Sequence, residues 1–491
     1  MTKVLRLTGM IFRQGGTLTR RVVQGVVAIA LRLFFRRIEA DGVEKVPLTE
    51  PLIFVLNHPN GLIDPALVFV ALPRRVSFLA KSTLFRVPGV GFFLRTVEAL
   101  PLYRRVDAGD INQQVVAPAQ NQKTFEACFK LLRQNRCIAL FPEGISNNST
   151  YLLPLKTGAA RIALGALSIE GENLNVTEDA KYLGENSDQN LFINTALKSL
   201  KIVPVGLYYT SKTSFRSEAL LRFGAPFTVL PVTLDADGQP PREAVRELSE
   251  VIAEKLREVT LNVEDTEAFE VVRRTEQLFS SVYEGLNFHL SLTDELDLRR
   301  RFAEQFESNA ENAQEFKNRL DIYDKHLREL GVSPEHLSVS GHSFWYVFRH
   351  FFLRIGLILV LSPLVIVGAI LHFPAYLICL LIGKVVRQHG VDDSGGSPKI
   401  LAAMLLMPLT WLISTGLVLW LWNWHLALVT FPLVIVCGYS ALRCLEELFD
   451  LRGWFKAAWV LLLRRWLFIR LLFERRALHR AIAEIIAPTD K

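Results

Sequence analysis

The residues of this chain best suited to chemistry are a histidine and an aspartate six positions apart, His58 and Asp64. They follow an apolar run at residues 53–56, which the Pro, Asn and Gly after it mark as a buried strand ending in a turn. Histidine titrates near neutral pH, and a carboxylate on its far nitrogen fixes the tautomer and stabilises the imidazolium. The pair has the groups needed for general-base attack by a hydroxyl. Asp64 is equally well explained as a helix cap before Pro65, and the two roles are compatible.

Two further strands carry or flank candidate site residues. Residues 137–140 are apolar and lead into a Phe-Pro-Glu-Gly turn, which places Glu143 and Gly144 just after a strand. Residues 202–206 form a third apolar run with a proline inside it. A carboxylate and backbone amides in such a turn can bind polar groups and anions. The alternative is an ordinary Pro-Glu-Gly turn, and the presence of His58 upstream favours the functional interpretation.

In order and spacing, these three stretches resemble the glycerophospholipid acyltransferase family. Its marks are a His-Asp pair, a Phe-Pro-Glu-Gly turn and a late Val-Pro-Val strand, and the resemblance covers about residues 43–227. The chain departs from the commonest family form in two ways. Five residues rather than four separate His58 from Asp64, and Ser146 stands where the family usually has a phosphate-binding arginine. Both departures resemble the branch that acylates glycerol 3-phosphate or dihydroxyacetone phosphate.

The resemblance implies an α/β acyltransferase domain, with a mixed sheet flanked by helices, that moves a fatty acyl group from a thioester to a hydroxyl. It implies that His58 is the catalytic base and that Asp64 orients it. The residues that it assigns to substrate binding are Arg104, Glu143, Gly144, Ser146, Lys81 and Lys156. Surface ion pairs are the alternative role for the two lysines. The implied partners are an acyl thioester, a phosphorylated glycerol-type acceptor and a lipid bilayer.

Two other functions stay open at this point. The enzyme could act one step later, on 1-acylglycerol 3-phosphate, or the chain could be a catalytically silent membrane module that remodels or tethers lipid. The intact His58, Asp64, Glu143 and Gly144 favour an enzyme. No cofactor is expected beyond acyl-CoA or acyl carrier protein as co-substrate. No metal is expected, since His58 and Asp64 have no third ligand nearby in sequence. No motif indicates a nucleic-acid partner.

Hydropathy and charge divide the 491 residues into five segments. We expect a basic amphipathic helix over 1–41, the acyltransferase domain over 42–230 and a charged helical subdomain over 231–343. A transmembrane region over 344–450 and a basic amphipathic tail over 451–491 follow. The first segment is too short in apolar residues to cross a bilayer, so an interfacial helix is favoured over a buried core helix. The stripe of the tail also predicts a helix in the headgroup layer.

The apolar excess lies after residue 350. Residues 355–383 carry no charge over 29 positions, and further apolar runs cover 400–422 and 427–442. At ~1.5 Å per residue the first run exceeds the ~30 Å bilayer core, which predicts a kinked or tilted helix or a hairpin. We therefore expect an integral membrane protein with its catalytic domain on the cytoplasmic side. The membrane would be the inner membrane of a bacterium or the endoplasmic reticulum of a eukaryote.

Overall fold

The computed structural model describes residues 3–4, 16–61, 63–87, 89–103, 111–147, 149–167, 197, 199–212, 216–284, 291–308, 310–334, 337, 344–388 and 397–486. The chain divides into two compact units, Met1–Asn262 and Val263–Lys491. The five-segment division expected from the sequence stays a prediction. The polar, aperiodic stretch at residues 171–190, which predicts an inserted surface loop, lies outside the described residues, as do most of residues 1–15.

The first unit is built on a single mixed sheet. Its described strands are β1 (Lys3–Val4), β2 (Arg37–Asp41), β3 (Leu52–Leu56), β4 (Val76–Lys81), β5 (Leu100–Leu102), β6 (Cys137–Leu140), β7 (Leu200–Tyr209), β8 (Glu218–Phe223) and β9 (Phe227–Val229). Their order across the sheet is β1-β2-β8-β7-β3-β6-β4-β5, and β9 pairs with β7. The neighbours β7, β3, β6, β4 and β5 are parallel, whereas β8 and β9 are antiparallel to β7. The predicted α/β class with a mixed sheet is confirmed.

Hydrophobic sequence explains the centre of this sheet. Every residue of β3 is fully buried, as expected for a parallel strand covered by helices on both faces. The covering helices are α1 (Leu18–Phe34), α2 (Ile63–Ala71), α3 (Val90–Thr96), α4 (Ile111–Arg133), α5 (Gly158–Leu167) and α6 (Arg242–Arg257). Short 3₁₀ turns lie at Val43–Lys45 and Ser82–Arg86.

The N-terminal helix α1 has two different apolar faces. One face is buried on α2 and α3, and Arg20 and Gln24 are buried with it. The other face exposes apolar side chains at three- and four-residue spacings, namely Leu18, Val22, Val26 and Ile29. The interfacial and core interpretations each describe one face of the same helix.

The second unit is helical throughout its described residues. Helices α7 (Thr266–Glu284), α8 (Leu292–Ser308) and α9 (Ala310–Leu330) pack with the last helix, α13 (Arg465–Ile486). Between them in sequence lie the apolar helices α10 (Phe344–Gln388), α11 (Ser397–Leu421) and α12 (Trp424–Leu463), which pack on one another.

Among the described residues of the second unit, two segments are long and apolar enough to cross a membrane, Phe351–Ile382 within α10 and Trp424–Leu463. Helix α10 runs without a break through Pro363 and Pro374, so the hairpin considered for this run is excluded. The amphipathic stretch at 451–480 differs from the single helix predicted for it. Its first part continues α12, and the chain turns at Arg464 before α13 begins.

Candidate active site

Parallel strands bring the predicted site residues to one edge of the sheet. The carboxyl ends of parallel strands lie at the same edge, where loops can present polar groups. His58 follows β3, Glu143 follows β6, and Lys81 is the last residue of β4. Strand β5 ends at Leu102, two positions before Arg104, which lies outside the described residues.

His58 and Asp64 form the hydrogen bond predicted from their spacing. The Nδ1 of His58 lies 2.8 Å from Oδ2 of Asp64, and since a carboxylate can only accept, Nδ1 carries the proton. The Asp64 side chain is fully buried, whereas the His58 side chain keeps 17% of its surface exposed. Its Nε2 hydrogen-bonds to none of the described residues. The arrangement leaves a basic nitrogen available to a hydroxyl group.

Two further donors hold the Asp64 carboxylate. The hydroxyl of Tyr209 donates to Oδ1 at 2.5 Å, and the backbone N–H of Asn60 donates to Oδ2 at 2.8 Å. Burial, together with the neighbouring Asp64, raises the pKa of Tyr209 well above its usual value, so the phenol stays a donor. The carboxylate therefore has a single orientation toward His58.

The longer spacing between His58 and Asp64 is taken up by a turn and a helix start. The carbonyl of Asn60 accepts from the N–H groups of Ile63 and Asp64 at 3.0 and 3.1 Å. Asp64 lies in the first turn of α2, where a carboxylate also interacts favourably with the helix dipole. Both roles considered for Asp64, the histidine partner and the helix-terminal carboxylate, are present together.

The Glu143 carboxylate is buried and joins three loop groups. Oε1 accepts from the His58 N–H at 2.8 Å, and Oε2 accepts from Asn147 Nδ2 at 2.5 Å and from the Leu153 N–H at 3.3 Å. Asn147 in turn donates its N–H to the His58 carbonyl at 3.0 Å. Glu143 thus holds the backbone of His58 in place.

The Phe-Pro-Glu-Gly turn also shapes the surroundings of the histidine. The Phe141 ring stacks on the imidazole with centroids 4.1 Å apart and an interplanar angle of 21°. An aromatic face stabilises a cation above it, which suits an imidazolium formed during proton transfer. Gly144 has φ +75°, a left-handed conformation that glycine adopts without strain.

Of the predicted cations, Lys156 and Lys81 lie at the edge of the sheet that carries the site, and Arg104 lies outside the described residues. Lys156 donates its backbone N–H to the Pro142 carbonyl at 2.7 Å, and its side chain lies beside Gly144. Ser146 lies in the loop after this turn. Lys81 lies at the same edge but two strands from β3. The roles of these residues and of Arg104 stay predictions.

Sequence reasoning missed four residues that support the site. Tyr209, Asn60 and Asn147 hold the His58–Asp64 pair as described above. Asn57 clamps β3 to β7 by donating to the Leu207 carbonyl at 3.0 Å and accepting from its N–H at 2.7 Å. The available signal was position: these polar residues lie at the end of, or in the loop after, three buried strands that share an edge.

Other nucleophile and metal chemistry has little support among the described residues. Burial raises the pKa of Cys128 to about 12 and that of Cys137 to about 11, so both thiols stay protonated at neutral pH. Within the described part of the chain, no group of three or more His, Cys, Asp and Glu side chains is placed to hold a metal ion.

Two family models match the chain in succession. Residues 37–206 match the model described as Acyltransferase, and residues 276–490 match the model described as Glycerol-3-phosphate acyltransferase 2 C-terminal domain. The first match contains β2 to β6 and most of β7, with His58, Asp64 and Glu143. The second contains about half of α7 and all the later described helices.

Curated proteins resemble the chain at low sequence identity. The chain is similar to glycerol-3-phosphate O-acyltransferase 1 of Saccharomyces cerevisiae, with 25% identity covering 78% of this chain and 57% of that protein. Glycerol-3-phosphate O-acyltransferase 2 of the same yeast is 25% identical over 61% of this chain and 36% of its own length. The chain thus spans little more than half of the first relative and about a third of the second.

Among solved structures, a 1-acyl-sn-glycerophosphate acyltransferase from Thermotoga maritima aligns with 18% identity and a TM-score of 0.32. That alignment covers 51% of this chain and 86% of the other.

Proposed function

We propose that this chain, which belongs to the glycerophospholipid acyltransferase family, moves a fatty acyl group from a thioester to glycerol 3-phosphate or dihydroxyacetone phosphate. The observation that carries the proposal is the buried Asp64 carboxylate on Nδ1 of a His58 whose Nε2 is available. Such a pair supplies a general base for a hydroxyl nucleophile.

The reaction is a direct transfer. The acceptor hydroxyl attacks the thioester carbonyl carbon while His58 Nε2 takes its proton, and a C–O bond forms. The tetrahedral intermediate then collapses, the C–S bond breaks, and the imidazolium returns the proton to the leaving thiolate. Asp64 stabilises the imidazolium between these two steps. No acyl-enzyme is needed, and the thioester, acyl-CoA or acyl carrier protein, is consumed as a co-substrate without a further cofactor.

The acceptor assignment is supported by residues and by relatives. Ser146 offers a single neutral hydroxyl where an arginine would grip phosphate with two parallel hydrogen bonds. A small acceptor can move to meet cations elsewhere at the edge, whereas an acceptor tethered by an acyl chain has less freedom. Two relatives, which cover 78% and 61% of this chain, are named glycerol-3-phosphate O-acyltransferases. Lys81, Lys156 and Arg104 are proposed to contribute positive charge.

The proposed setting is a membrane. The two apolar helices anchor the chain in the bilayer, and the acyltransferase unit lies on the cytoplasmic side, where thioester donors are made. The insoluble product then forms next to the lipid that receives it.

The test offers labelled acyl thioester and three separate acceptors to the full chain in lipid-containing detergent micelles. The acceptors are glycerol 3-phosphate, dihydroxyacetone phosphate and 1-acylglycerol 3-phosphate. We expect transfer to the first two, and a loss of about 10²- to 10⁴-fold in kcat for His58→Ala, the usual contribution of a general base.

A control variant and two results decide the outcome. Asp237→Asn, on an exposed turn far along the sequence from the site, should leave kcat unchanged. A His58→Ala protein with near-normal transfer would refute the mechanism. A clear preference for the acylated acceptor would assign the chain to the following step of the pathway instead.

A further inference from the structure

The strand beside that of His58 leads to a lysine that no sequence motif singled out. Strand β7 is the parallel neighbour of β3 and ends at Tyr209. Three residues later the chain reaches Lys212, half-buried at the same edge of the sheet. Lys212 therefore follows β7, the strand next to β3, which leads to His58. Neighbouring strands lie ~4.8 Å apart. Lys81 follows a strand two positions away on the other side.

Lys212 is tied to both catalytic loops. Its carbonyl accepts from Asn60 Nδ2 at 3.0 Å, in the loop between His58 and Asp64. Its ammonium donates to the Asn147 carbonyl at 3.1 Å, in the loop after the Phe-Pro-Glu-Gly turn. These contacts hold Lys212 between the loop that carries His58 and the loop that carries Glu143.

The position of the ammonium matches a need of the site. It touches the residue directly after Ser146, the position where the family's usual arginine is absent. The Asn147 carbonyl is a neutral acceptor, so this contact positions the ammonium through a hydrogen bond and is not itself an ion pair. Lysine binds phosphate as a point charge and needs no bidentate geometry.

On this basis we propose that Lys212, together with the Ser146 hydroxyl, binds the phosphate of the acceptor; the inference rests on the proposed function. The charge that the arginine would bring from the strand-β6 loop comes instead from the loop after β7. A phosphorylated three-carbon acceptor held there presents its hydroxyl to His58, and an unphosphorylated glycerol gains nothing from the lysine.

The test compares initial rates of four full-length proteins: the wild type, Lys212→Ala, Lys212→Arg and Lys201→Ala. Lys201 is the matched control because it lies near the start of β7, at the opposite edge, paired with Glu50 at 2.6 Å. Loss of a hydrogen bond to a charged group predicts an increase of about 10- to 100-fold in the acceptor KM of Lys212→Ala. The thioester KM should stay within about twofold. Lys212→Arg should recover part of the loss, and Lys201→Ala should match the wild type.

A binding measurement separates this inference from the proposed reaction. Glycerol 3-phosphate should raise the unfolding temperature of the wild type and of Lys201→Ala but not of Lys212→Ala. If the wild type transfers acyl groups to no phosphorylated acceptor, the proposed function fails, and this protection still tests the lysine.

Three outcomes overturn the inference. One is an unchanged acceptor KM in Lys212→Ala. Another is a rise in the thioester KM instead, which would place the donor's phosphates at Lys212. The third is an equal fall in kcat for every acceptor with an unchanged KM and a lower unfolding temperature, which would make Lys212 a loop clamp only.

Discussion

Asp64 is the residue on which the geometry of the site depends. Its two oxygens receive donors from three parts of the first unit: His58, the Asn60 backbone and the Tyr209 hydroxyl. A buried carboxylate is costly unless it is hydrogen-bonded, and here each donor also fixes its orientation. Tyr209 is therefore a positioning residue, because it acts on the imidazole only through Asp64.

Replacing Tyr209 by Phe tests this chain of contacts. We expect kcat to fall by about tenfold, less than for His58→Ala, because Asp64 keeps its other two donors while its orientation loosens. Because the raised pKa keeps the phenol protonated in the folded state, the wild type loses stability as pH rises above about 10, where the unfolded tyrosine ionises. The variant should lose less stability there. Rates and thermal unfolding between pH 7 and 11 check both expectations, with Tyr208→Phe as control.

A fall in kcat as large in Tyr208→Phe as in Tyr209→Phe would contradict the assignment. Strand alternation points these two side chains to opposite faces of the sheet, so a shared effect would reflect damage to β7 rather than to the Asp64 contact.

The sequence predicted the His58–Asp64 pair but only some of the residues that hold this pair in place. The His58–Asp64 contact is local, six positions along the chain, and apolar strands with Pro and Gly turns identify its setting. The Tyr209 contact spans 145 positions and the Glu143 contact with His58 spans 85. Such contacts depend on strand order, which hydrophobic patterning does not reveal. Glu143 was predicted from its turn, but its hold on the His58 backbone required the structure.

Among the helices, α1 is the one whose burial is least expected from its composition. Arg20 is 1% exposed, donates to the Thr96 and Val76 carbonyls at 3.4 and 3.3 Å, and lies 4.9 Å from the Phe69 ring centre. Burial, followed by repulsion from Arg75 and Arg136, lowers its pKa to about 10. It still carries its charge at neutral pH. The helix is thus fastened to the sheet by a cation as well as by apolar side chains.

Arg20→Ala should destabilise the first unit by about 2–4 kcal/mol, because it leaves two carbonyls short of a donor and removes the cation–π contact. Arg21→Ala is the matched control, since the neighbouring arginine is exposed, and should change stability by less than ~0.5 kcal/mol. Thermal unfolding of the full chain in detergent measures both. Equal effects of the two substitutions would show that α1 is held only by its apolar face.

The three apolar helices of the second unit meet through small residues and one histidine. Trp411 Nε1 donates to His372 Nε2 at 3.0 Å, so the other ring nitrogen carries the proton that the Gly368 carbonyl accepts at 2.9 Å. A methyl group at Gly368 would lie 2.1 Å from the Cys437 carbonyl oxygen. Close approach of helix backbones at glycine is the usual means of association in lipid.

Gly368→Ala should therefore separate α10 from α12 and cost about 1–3 kcal/mol, the range for overpacked sites. Gly416→Ala offers the comparison, because nothing lies within 4 Å of a methyl group there. It should be neutral or stabilising by up to about 1 kcal/mol through better helix propensity. This prediction is tested by comparing the unfolding temperatures of the two variants and the wild type in the same detergent. A harmless Gly368→Ala would mean that the helices do not pack as described.

Across the whole molecule, the described site residues and the membrane-length helices belong to different units. The site lies in Met1–Asn262, whereas both candidate spans lie in Val263–Lys491. Composition alone predicted that the site and the apolar helices lie in different parts of the chain. Uncharged runs whose helical length exceeds the thickness of the bilayer core are easily recognised in a sequence. The break at Arg464, which ends α12 and begins α13, could not be predicted, since the amphipathic stripe continues through it.

A fragment of residues 1–262 should fold and yet be released from membranes by alkaline carbonate, while the full chain stays in the pellet. The fragment keeps the sheet and the six described helices around it, and among its described helices the exposed stripe of α1 is the apolar face available to lipid. Four apolar side chains at an interface support reversible binding, not insertion. Residual flotation of the fragment with liposomes should therefore disappear in a Val22→Ser, Val26→Ser double variant. Retention of the unmodified fragment after carbonate treatment would mean that the first unit carries an anchor of its own.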